Sequence, residues 1–371
     1  MAKASPSDNL DILRQIANNP GDRISVQNLR KSGRMTARER INALLDTDSF
    51  VEIDAFIQHR SGDHNLHLHR PLGDGVVAGH GMLDGRRIVC FAQDYSIFEG
   101  TMGEMHAKKI SKIVEFAEKS MLPVIGIWDG DGQRAHEGVS SLGATGELLD
   151  IFAACSGRIP IISLILGTVS GVSALAAGLS DFVILGSEHG QMFMRSPYFI
   201  PEVVSGEIDE ETLGGAESHS SRSGIACLVA DDEHDAINIA AEILGYLPDH
   251  TLAEPLNVKS GDKWNRSCKK LEDIVPSDSN KPYDMSKVIK EIVDEGRFME
   301  LFPSYAENIL IGFARLDGQP IGIVANQPKV LAGCLDIDSS VKAARFIRTC
   351  DIFNIPVVTF VDVPGFLPGT V

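Results

Sequence analysis

The stretch of sequence that decides the fold is Ile159-Pro-Ile-Ile-Ser-Leu-Ile-Leu-Gly-Thr-Val-Ser-Gly-Val-Ser-Ala-Leu-Ala-Ala-Gly-Leu-Ser-Asp-Phe182. Its first eight residues are apolar except for Ser163 and are rich in isoleucine, which is typical of a strand buried on both faces. The small residues 167–172 predict a tight turn, and residues 173–179 predict a short, closely packed helix. The first amides of a helix have no partner within it, so the N–H groups of Gly171 and Val172 can stabilise a developing oxyanion.

Two other interpretations of this stretch compete with an oxyanion site. Residues 159–180 carry no charge and are long enough to span a bilayer. Pro160 and the small polar residues in the middle divide the stretch into pieces of strand and helix length, so we expect no membrane span. A buried strand–helix corner without any chemistry is the second alternative, and the stretch by itself does not exclude it.

The length, net charge and cysteine content exclude several classes of protein. The chain has 371 residues, enough for two domains, and its formal net charge of −17 argues against a nucleic-acid surface. Its six cysteines are scattered without a C-x-x-C pair, which indicates reduced thiols rather than disulfides or a zinc site. The first residues lack the apolar core of a signal peptide, so we expect a cytoplasmic enzyme.

The region before the first strand is predicted to be helical. Residues 9–45 have helical periodicity, and Thr36 with Glu39 has the spacing of a capping box. We interpret the basic residues there as solvated helix charges, with a phosphate contact as the alternative; they are Arg34, Arg38 and Arg40. No metal site is expected in the following loop, because no cysteine or carboxylate cluster joins its histidines, His64, His67 and His69.

From residue 87 onward the pattern alternates between strand and helix. The predicted order is strand 87–92, helix 104–119, strand 122–128, a helix near 143–155 and then the stretch quoted above. Such alternation predicts an α/β fold in which crossover helices connect parallel strands.

An internal repeat organises the whole chain. Residues 79–132 recur without a gap at 312–365, an offset of 312 − 79 = 233, with matching glycines, a matching proline and matching strand patterns. The polar, proline-containing segment 251–285 between the copies reads as a linker. The counterpart of Gly171 would lie near 171 + 233 = 404, past Val371, so we expect the chain to be a fragment or a truncated gene product.

Several motifs identify a family that this sequence resembles. They include Thr36-Ala-Arg-Glu-Arg-Ile41, Glu104-Met-His-Ala-Lys-Lys-Ile110, Ala325-Asn-Gln-Pro-Lys-Val-Leu-Ala-Gly333 and Asp362-Val-Pro-Gly-Phe-Leu-Pro-Gly-Thr370. From about Leu29 onward the chain resembles the carboxyltransferase (β) subunit of biotin-dependent acyl-CoA carboxylases of the propionyl-CoA carboxylase type, truncated at its C-terminus. The resemblance implies two crotonase-like (ClpP/crotonase) domains in tandem, the second incomplete.

The resemblance and the repeat together predict the domain organisation. Residues 1–72 form N-terminal helices and a loop, and residues 73–250 form the first crotonase-like domain, on the acyl-CoA side. Residues 251–285 are the linker, and residues 286–371 are a partial second crotonase-like domain, on the biotin side.

The resemblance also implies the chemistry and the partners. A carboxyl group moves from carboxybiotin to the α-carbon of an acyl-CoA such as propionyl-CoA, through an enolate stabilised by backbone amides and without a metal. No biotinylation motif or ATP-binding loop is present in this sequence, so biotin is carried on a partner chain, the biotin carboxylase or biotin carboxyl carrier subunit. The chain is expected to form a homo-oligomer with active sites between subunits, and to bind neither nucleic acid nor membranes.

Mapped residue by residue, the family pattern gives three sets of site residues. The predicted oxyanion donors are Gly100, Gly171 and Val172, and the predicted acyl-CoA contacts are Lys108, Lys109, Arg134 and Ser170. The predicted biotin-side residues are Val330, Leu331, Ala332, Gly333, Gly365 and Phe366. The chain departs from the family where two glycines are usual, at Gly171-Val172, and where Ser-Gly-Gly-Ala-Arg is usual, at residues 130–134.

Three functions stay open at this point. The first is the carboxyltransferase, and the second is a biotin-linked acyl-CoA decarboxylase subunit that runs the same chemistry in reverse. The third is a non-catalytic assembly subunit, which the valine at position 172 and the missing second elbow favour. The acyl-CoA and the oligomer size stay open. Which amide pair serves the thioester and which serves biotin is open as well.

Overall fold

The structure, a computed structural model, describes residues 6–195, 209–263, 265–278 and 281–367. The chain divides into two compact units. The first unit comprises residues 1–216 and 229–241, and the second comprises residues 217–228 and 242–371. The residue limits predicted for the domains stay a prediction.

Three helices open the first unit, as the sequence predicts: α1 Pro6–Asn18, α2 Arg23–Lys31 and α3 Ala37–Leu44. The capping box of α3 is present, because the Thr36 hydroxyl accepts from the Glu39 N–H and the Glu39 carboxylate accepts from the Thr36 N–H. This reciprocal pair satisfies two amides that the helix itself leaves unpaired.

The first unit is built on a mixed sheet with the strand order β1-β2-β3-β4-β5-β6-β8, in which β7 also pairs with β5. Its strands are β1 Val51–Glu52, β2 Val76–Leu83, β3 Arg86–Gln93, β4 Val124–Gly130, β5 Ile161–Ser170, β6 Phe182–Gly186, β7 Gln191–Phe193 and β8 Leu228–Ala230. Strands β2 and β3 form an antiparallel hairpin, whereas β3 to β6 run parallel, joined by α4 Glu104–Ser120, α5 Gly138–Cys155 and α6 Gly171–Gly178. The remaining helices of this part of the chain are α7 Glu210–Gly214, α8 Ala216–Ser221 and α9 Glu233–Tyr246.

The sequences of the parallel strands are continuous apolar runs because these strands are buried on both faces. Every residue of β4 is buried, and only Thr168 of β5 is half-buried, because helices cover the sheet. The indole of Trp128 on β4 packs edge-on against the ring of Phe91 and beside Phe152, and its N–H donates to the Ser163 hydroxyl at 2.8 Å. This aromatic cluster lies at the centre of the first unit.

The strand of the deciding stretch is longer than the sequence predicts. Strand β5 continues through residues 167–170, where a turn was expected, and α6 begins at Gly171 without an intervening loop. The reason is that β7 pairs with Thr168, Val169 and Ser170, while Gly130 of β4 pairs with Val169, and both pairings extend the ladder past the apolar run. Among the described residues, no helix is both long and apolar enough to cross a membrane.

The second unit contains a four-stranded sheet in the order β12-β11-β10-β9. Its elements are α10 Leu271–Ile274, α11 Met285–Ile292, β9 Phe298–Leu301, β10 Ile309–Leu316, β11 Gln319–Asn326, α12 Ile337–Ile352 and β12 Val357–Phe360. The strands of the hairpin β10–β11 have the same lengths as those of the hairpin β2–β3. Strand β10 begins 309 − 76 = 233 residues after β2, and β11 begins 319 − 86 = 233 residues after β3. The starts of α12 and β12 follow those of α4 and β4 by the same interval. The structure therefore repeats these elements at the offset found in the sequence.

The N-cap of α11 gives a pH-dependent prediction for the second unit. The Asp284 carboxylate accepts hydrogen bonds from the Ser286 hydroxyl at 2.7 Å and the Gln327 amide at 3.0 Å, and lies 3.2 Å from Lys329 Nζ. Although burial opposes ionisation, the bonds from Gln327, Ser286 and Lys329 lower the pKa of Asp284 to about 2. A lowered carboxyl pKa stabilises the fold above the unfolded-state value, and this stability is lost as the pH falls through about 2.

We expect Asp284→Ala to lower the free energy of unfolding by about 1 kcal/mol at pH 7, as the loss of an N-cap does. The gap between variant and wild type should narrow as the pH falls from 4 toward 2. Urea unfolding at a series of pH values measures this difference in the free energy of unfolding between variant and wild type. The matched control is Asp351→Ala on the exposed face of α12, which removes a carboxyl group that caps no helix. A gap for Asp284→Ala that stays constant over this range would contradict the prediction.

Candidate active site

The junction of β5 and α6 is a sharp bend, which we call the elbow (residues 170–172). Ser170 is extended, with φ −130° and ψ 163°, whereas Gly171 has φ +56°. That left-handed conformation favours glycine, and it turns the strand directly into the helix. Apart from its chain neighbours and the adjacent backbone of α6, no atom of the described residues lies within 4 Å of a Cβ built on Gly171, so they leave that space open. The amides of residues 171 and 172 belong to the first turn of α6 and have no partner within that helix.

The loop after β4 packs against the elbow. The Ser170 hydroxyl donates to the Asp131 carboxylate at 2.7 Å. Gly132, with φ +73°, approaches so closely that an added Cβ would lie 2.8 Å from Ser170 Oγ. The carboxyl ends of two neighbouring parallel strands therefore meet here, where α/β sheets commonly bind their ligands.

Gly100 lies beside the same loop, but its amide is not a free donor. Its N–H donates to the Ile97 carbonyl at 3.0 Å, which corrects the prediction that this amide forms part of an oxyanion hole. Phe98, Glu99 and Gly100 all have positive φ, at 49°, 54° and 66°. A Cβ on Gly100 would lie 2.0 Å from the Asp129 carbonyl oxygen, so this glycine is needed for close approach to the end of β4.

The second unit repeats this strained turn among the residues predicted for the biotin side. Leu331, Ala332 and Gly333 have φ values of 49°, 54° and 78°, and Val330 precedes them. The segment containing Gly365 and Phe366 lies alongside, because the Leu335 N–H donates to the Gly365 carbonyl at 3.1 Å. Two apolar side chains of this cluster are largely exposed: Leu331 is 54% exposed and Phe366 64%. Residues 368–370, which end the family motif quoted above, lie outside the described residues.

Arg134 is an internal side chain rather than a ligand for a CoA phosphate. It is 2% exposed, and its Nη1 lies 2.7 Å from the Asp74 carboxylate and 2.8 Å from the Glu137 carboxylate. Its guanidinium also stacks over the Phe98 ring at 4.4 Å. Because the charge is already neutralised inside the unit, the structure does not support the predicted phosphate contact.

Lys109 is likewise buried, whereas Lys108 is not. Lys109 Nζ donates to the Val76 carbonyl at 2.7 Å, and burial lowers its pKa to about 8. Its counterpart in the repeat, Lys342, donates to the equivalent Ile309 carbonyl at 2.9 Å, so this lysine belongs to the fold and does not support the phosphate prediction. Lys108 is 40% exposed and lies 2.8 Å from the Glu104 carboxylate.

The arginines near the start are not solvated helix charges, which corrects their interpretation from the sequence. Arg40 is 1% exposed and bonds to the Asp129 carboxylate at 2.7 Å and to the Glu233 carboxylate at 3.0 Å. Arg34 bonds to the other oxygen of Asp129, and Arg38 pairs with Glu52 at 2.7 Å. This network fixes Asp129, the residue from which the loop facing the elbow begins.

His106 and His219 each contact other residues of this chain. The His106 ring is fully buried between the Asp74 carbonyl, at 3.0 Å, and the Gln93 amide, at 3.2 Å, and burial lowers its pKa. His219 lies 2.9 Å from the Ser223 hydroxyl. In the described part of the chain, no group of three or more His, Cys, Asp or Glu residues has the arrangement of a metal site. The site can therefore offer backbone amides, a serine hydroxyl and carboxylates.

Comparison with known families identifies the relatives of this chain. The carboxyl transferase domain matches residues 28–371. The chain belongs to the carboxyl transferase domain family. Membership confirms the resemblance inferred from the motifs and places the elbow within a family of known fold.

Two relatives from the carboxyl transferase family are named for different reactions. The chain is 46% identical to the biotin-dependent acetyl-/propionyl-coenzyme A carboxylase beta5 subunit of Mycobacterium tuberculosis, over 93% of this chain and 64% of the relative. It is 45% identical to the methylmalonyl-CoA decarboxylase subunit alpha of Veillonella parvula, over 93% of this chain and 68% of the relative. The chain thus spans about two-thirds of the length of these relatives.

A solved carboxyl transferase structure is closely similar. Transcarboxylase 12S, crystallised as a hexamer with methylmalonyl-coenzyme A and methylmalonic acid bound, superposes with a TM-score of 0.96 at 38% identity. The match covers 100% of this chain and 72% of that one. It confirms the predicted α/β fold of crotonase-like type.

Proposed function

We propose that this chain is the carboxyltransferase component of a biotin-dependent acyl-CoA carboxylase. It would move a carboxyl group from carboxybiotin to the α-carbon of a short acyl-CoA such as propionyl-CoA. Membership of the family supports this, as does the beta5 relative, which is named for acetyl- and propionyl-coenzyme A. The observation that carries it is the elbow, where the left-handed Gly171 begins α6 directly after β5, so that the first amides of the helix have no partner within it.

The reaction places negative charge on two oxygens. The N–CO2 bond of carboxybiotin breaks to give CO2 and a ureido anion, the anion takes the α-proton of the acyl-CoA, and the resulting enolate carbon attacks CO2. The thioester oxygen carries charge in the enolate, and the ureido oxygen carries it after CO2 leaves. Each needs hydrogen-bond donors, and one such donor contributes about 3 kcal/mol.

The amides of Gly171 and Val172 are the proposed donors to one of these oxygens. Since the ureido anion is itself the base, the mechanism requires no side-chain base and no covalent nucleophile. The chain's contribution is then the placement of backbone dipoles and the orientation of the two substrates. Of the predicted basic contacts to CoA, Lys108 remains the proposed one, since it is partly exposed.

Biotin is proposed to arrive on a partner, a biotin carboxyl carrier loaded by a biotin carboxylase. The proposed contacts for biotin are the strained turn at Val330–Gly333 and the adjoining Gly365 and Phe366. Their exposed apolar side chains in the second unit offer the surface that a ureido ring and its carrier need. A homo-oligomer with sites between subunits belongs to the same proposal.

A decarboxylase subunit is the second candidate, because a methylmalonyl-CoA decarboxylase subunit alpha is 45% identical to this chain. The decarboxylase would use the same elbow but run the transfer from acyl-CoA to biotin. Both candidates predict carboxyl exchange between an acyl-CoA and biotin, which a non-catalytic subunit would not perform.

The test is a transfer assay on the purified full chain. Malonyl-CoA and methylmalonyl-CoA with free biotin measure the reverse reaction, and acetyl-, propionyl- and butyryl-CoA with a carboxylated carrier measure the forward one. We expect transfer in both directions, with the highest forward kcat/KM for a short acyl-CoA. Transfer only toward biotin would favour the decarboxylase, and no transfer with any acyl-CoA would overturn the proposal.

A further inference from the structure

We propose that Asp131 is a positioning residue: it holds the Ser170 hydroxyl away from the N-terminus of α6 and so keeps the Val172 amide available to the substrate oxygen. The inference rests on the proposed function of the elbow. It concerns a carboxylate where the family motif quoted above has a glycine.

Ser170 occupies the N-cap position of α6 without capping it. Its backbone has the extended conformation of an N-cap, with φ −130° and ψ 163°. A serine there ordinarily accepts a hydrogen bond from the N–H of the second or third helical residue, which in α6 are Val172 and Ser173. No such side-chain bond is made, and the hydroxyl instead donates to Asp131 Oδ1 at 2.7 Å.

Donation to Asp131 Oδ1 fixes the orientation of the Ser170 side chain, and in that orientation its oxygen accepts no hydrogen bond from the helix amides. Ser170 is 4% exposed, so water competes weakly for its hydroxyl. A hydrogen bond to a carboxylate is stronger than one between neutral groups, which favours this orientation over one that caps the helix. The carboxylate is brought within reach because Gly132 lets the loop pack directly on Ser170 Oγ, and because Arg40 fixes Asp129 at the start of that loop.

The consequence is that the Ser170 side chain leaves the Val172 amide uncapped. If the carboxylate is removed, a rotation about the Cα–Cβ bond of Ser170 lets its oxygen accept from the Val172 N–H. A substrate oxygen would then have to displace that cap. The expected cost in kcat/KM is about fivefold to tenfold, the equilibrium factor of one N-cap hydrogen bond.

A double-mutant experiment on the full chain tests this, with carboxyl transfer from malonyl-CoA to free biotin as the activity. Asp131→Ala should lower kcat/KM about fivefold to tenfold when Ser170 is present, but no more than about twofold in the Ser170→Ala background. Asp131→Asn keeps an acceptor for the hydroxyl and should stay within about twofold of wild type. Thermal unfolding of each variant checks that the fold is retained.

An equal loss in both backgrounds would overturn the inference, since Asp131 would then act without Ser170. A gain of activity in Asp131→Ala would also overturn it, because the carboxylate would then only repel the enolate.

Hydrogen exchange at the elbow gives a readout that needs no activity. The amides of Val172 and Ser173 should exchange about fivefold more slowly in Asp131→Ala than in wild type, and the wild-type rate should return in the double variant. If the wild-type chain transfers no carboxyl group, the proposed function fails, while exchange still decides the role of Asp131. Unchanged exchange in Asp131→Ala would contradict the inference.

Discussion

Val172→Pro is expected to lower kcat for carboxyl transfer by about a hundredfold, as the loss of one oxyanion-hole donor does. Proline has no N–H, and a helix tolerates it in the first turn, where the missing N–H has no partner within the helix. Position 172 is preferable to 171, because Gly171 has φ +56° and proline is restricted to about −65°. The measurement is single-turnover transfer with saturating acyl-CoA.

The matched control for this variant is Val172→Ala, which shortens the side chain but keeps the amide. We expect it to lose far less activity than Val172→Pro. Thermal unfolding of both variants separates a missing donor from a disturbed helix. Equal losses in the two variants would mean that the valine side chain, rather than its N–H, matters for the reaction.

Arg40→Met is expected to lower the free energy of unfolding by about 3–5 kcal/mol, the typical cost of removing one partner from a buried ion pair. Arg40 is 1% exposed and neutralises Asp129 together with Arg34. Without Arg40, the carboxylates of Asp129 and Glu233 each lose a charged partner. Equilibrium unfolding in urea measures the loss.

Arg30→Met is the control, because Arg30 forms an exposed ion pair with Glu39 at 2.6 Å and its side chain is 59% exposed. Exposed pairs contribute about 0–1 kcal/mol, so this variant should be close to wild type. If Arg40→Met were as stable as Arg30→Met, the buried network would not be needed to hold the loop that faces the elbow.

The fold could be predicted from the sequence because its signals are local and occur twice. Alternating apolar runs and amphipathic helices predict an α/β fold, and the offset of the internal repeat places β10, β11, α12 and β12. The length of β5 could not be predicted, since residues 168–170 are strand because β7, which follows β6 in the chain, pairs with them, and because Gly130 of β4 pairs with Val169. Non-local pairing has no signature within the stretch itself.

The burial of the charged residues could not be predicted from the sequence either. Arg40 looks like a surface residue of a short helix, but its partners Asp129 and Glu233 lie 89 and 193 residues away. Lys109 lies in a helix rich in lysine and glutamate, and only its bond to Val76 shows that it points inward. Burial of a charge depends on such distant partners, so periodicity alone assigns these side chains to solvent.

The glycines in the sequence predict where the candidate site lies, but the sequence does not predict which side chains meet there. Gly171 marks the elbow because only a left-handed residue fits there, and the small residues around it are visible in the sequence. The pair formed by Ser170 and Asp131 joins residues 39 positions apart and has no motif. The amide of Gly100 was misassigned, because its bond to Ile97 follows from the conformation of the turn rather than from composition.

The central claim is that a main-chain hydrogen at the elbow stabilises negative charge on the acyl-CoA or on biotin. Replacing Val172 by the corresponding α-hydroxy acid exchanges its N–H for an ester oxygen and leaves the side chain in place. The measurement is kcat/KM for carboxyl transfer by this ester variant. We predict a loss of about a hundredfold, as for Val172→Pro, since the same donor is removed; a value within twofold of wild type would contradict the account.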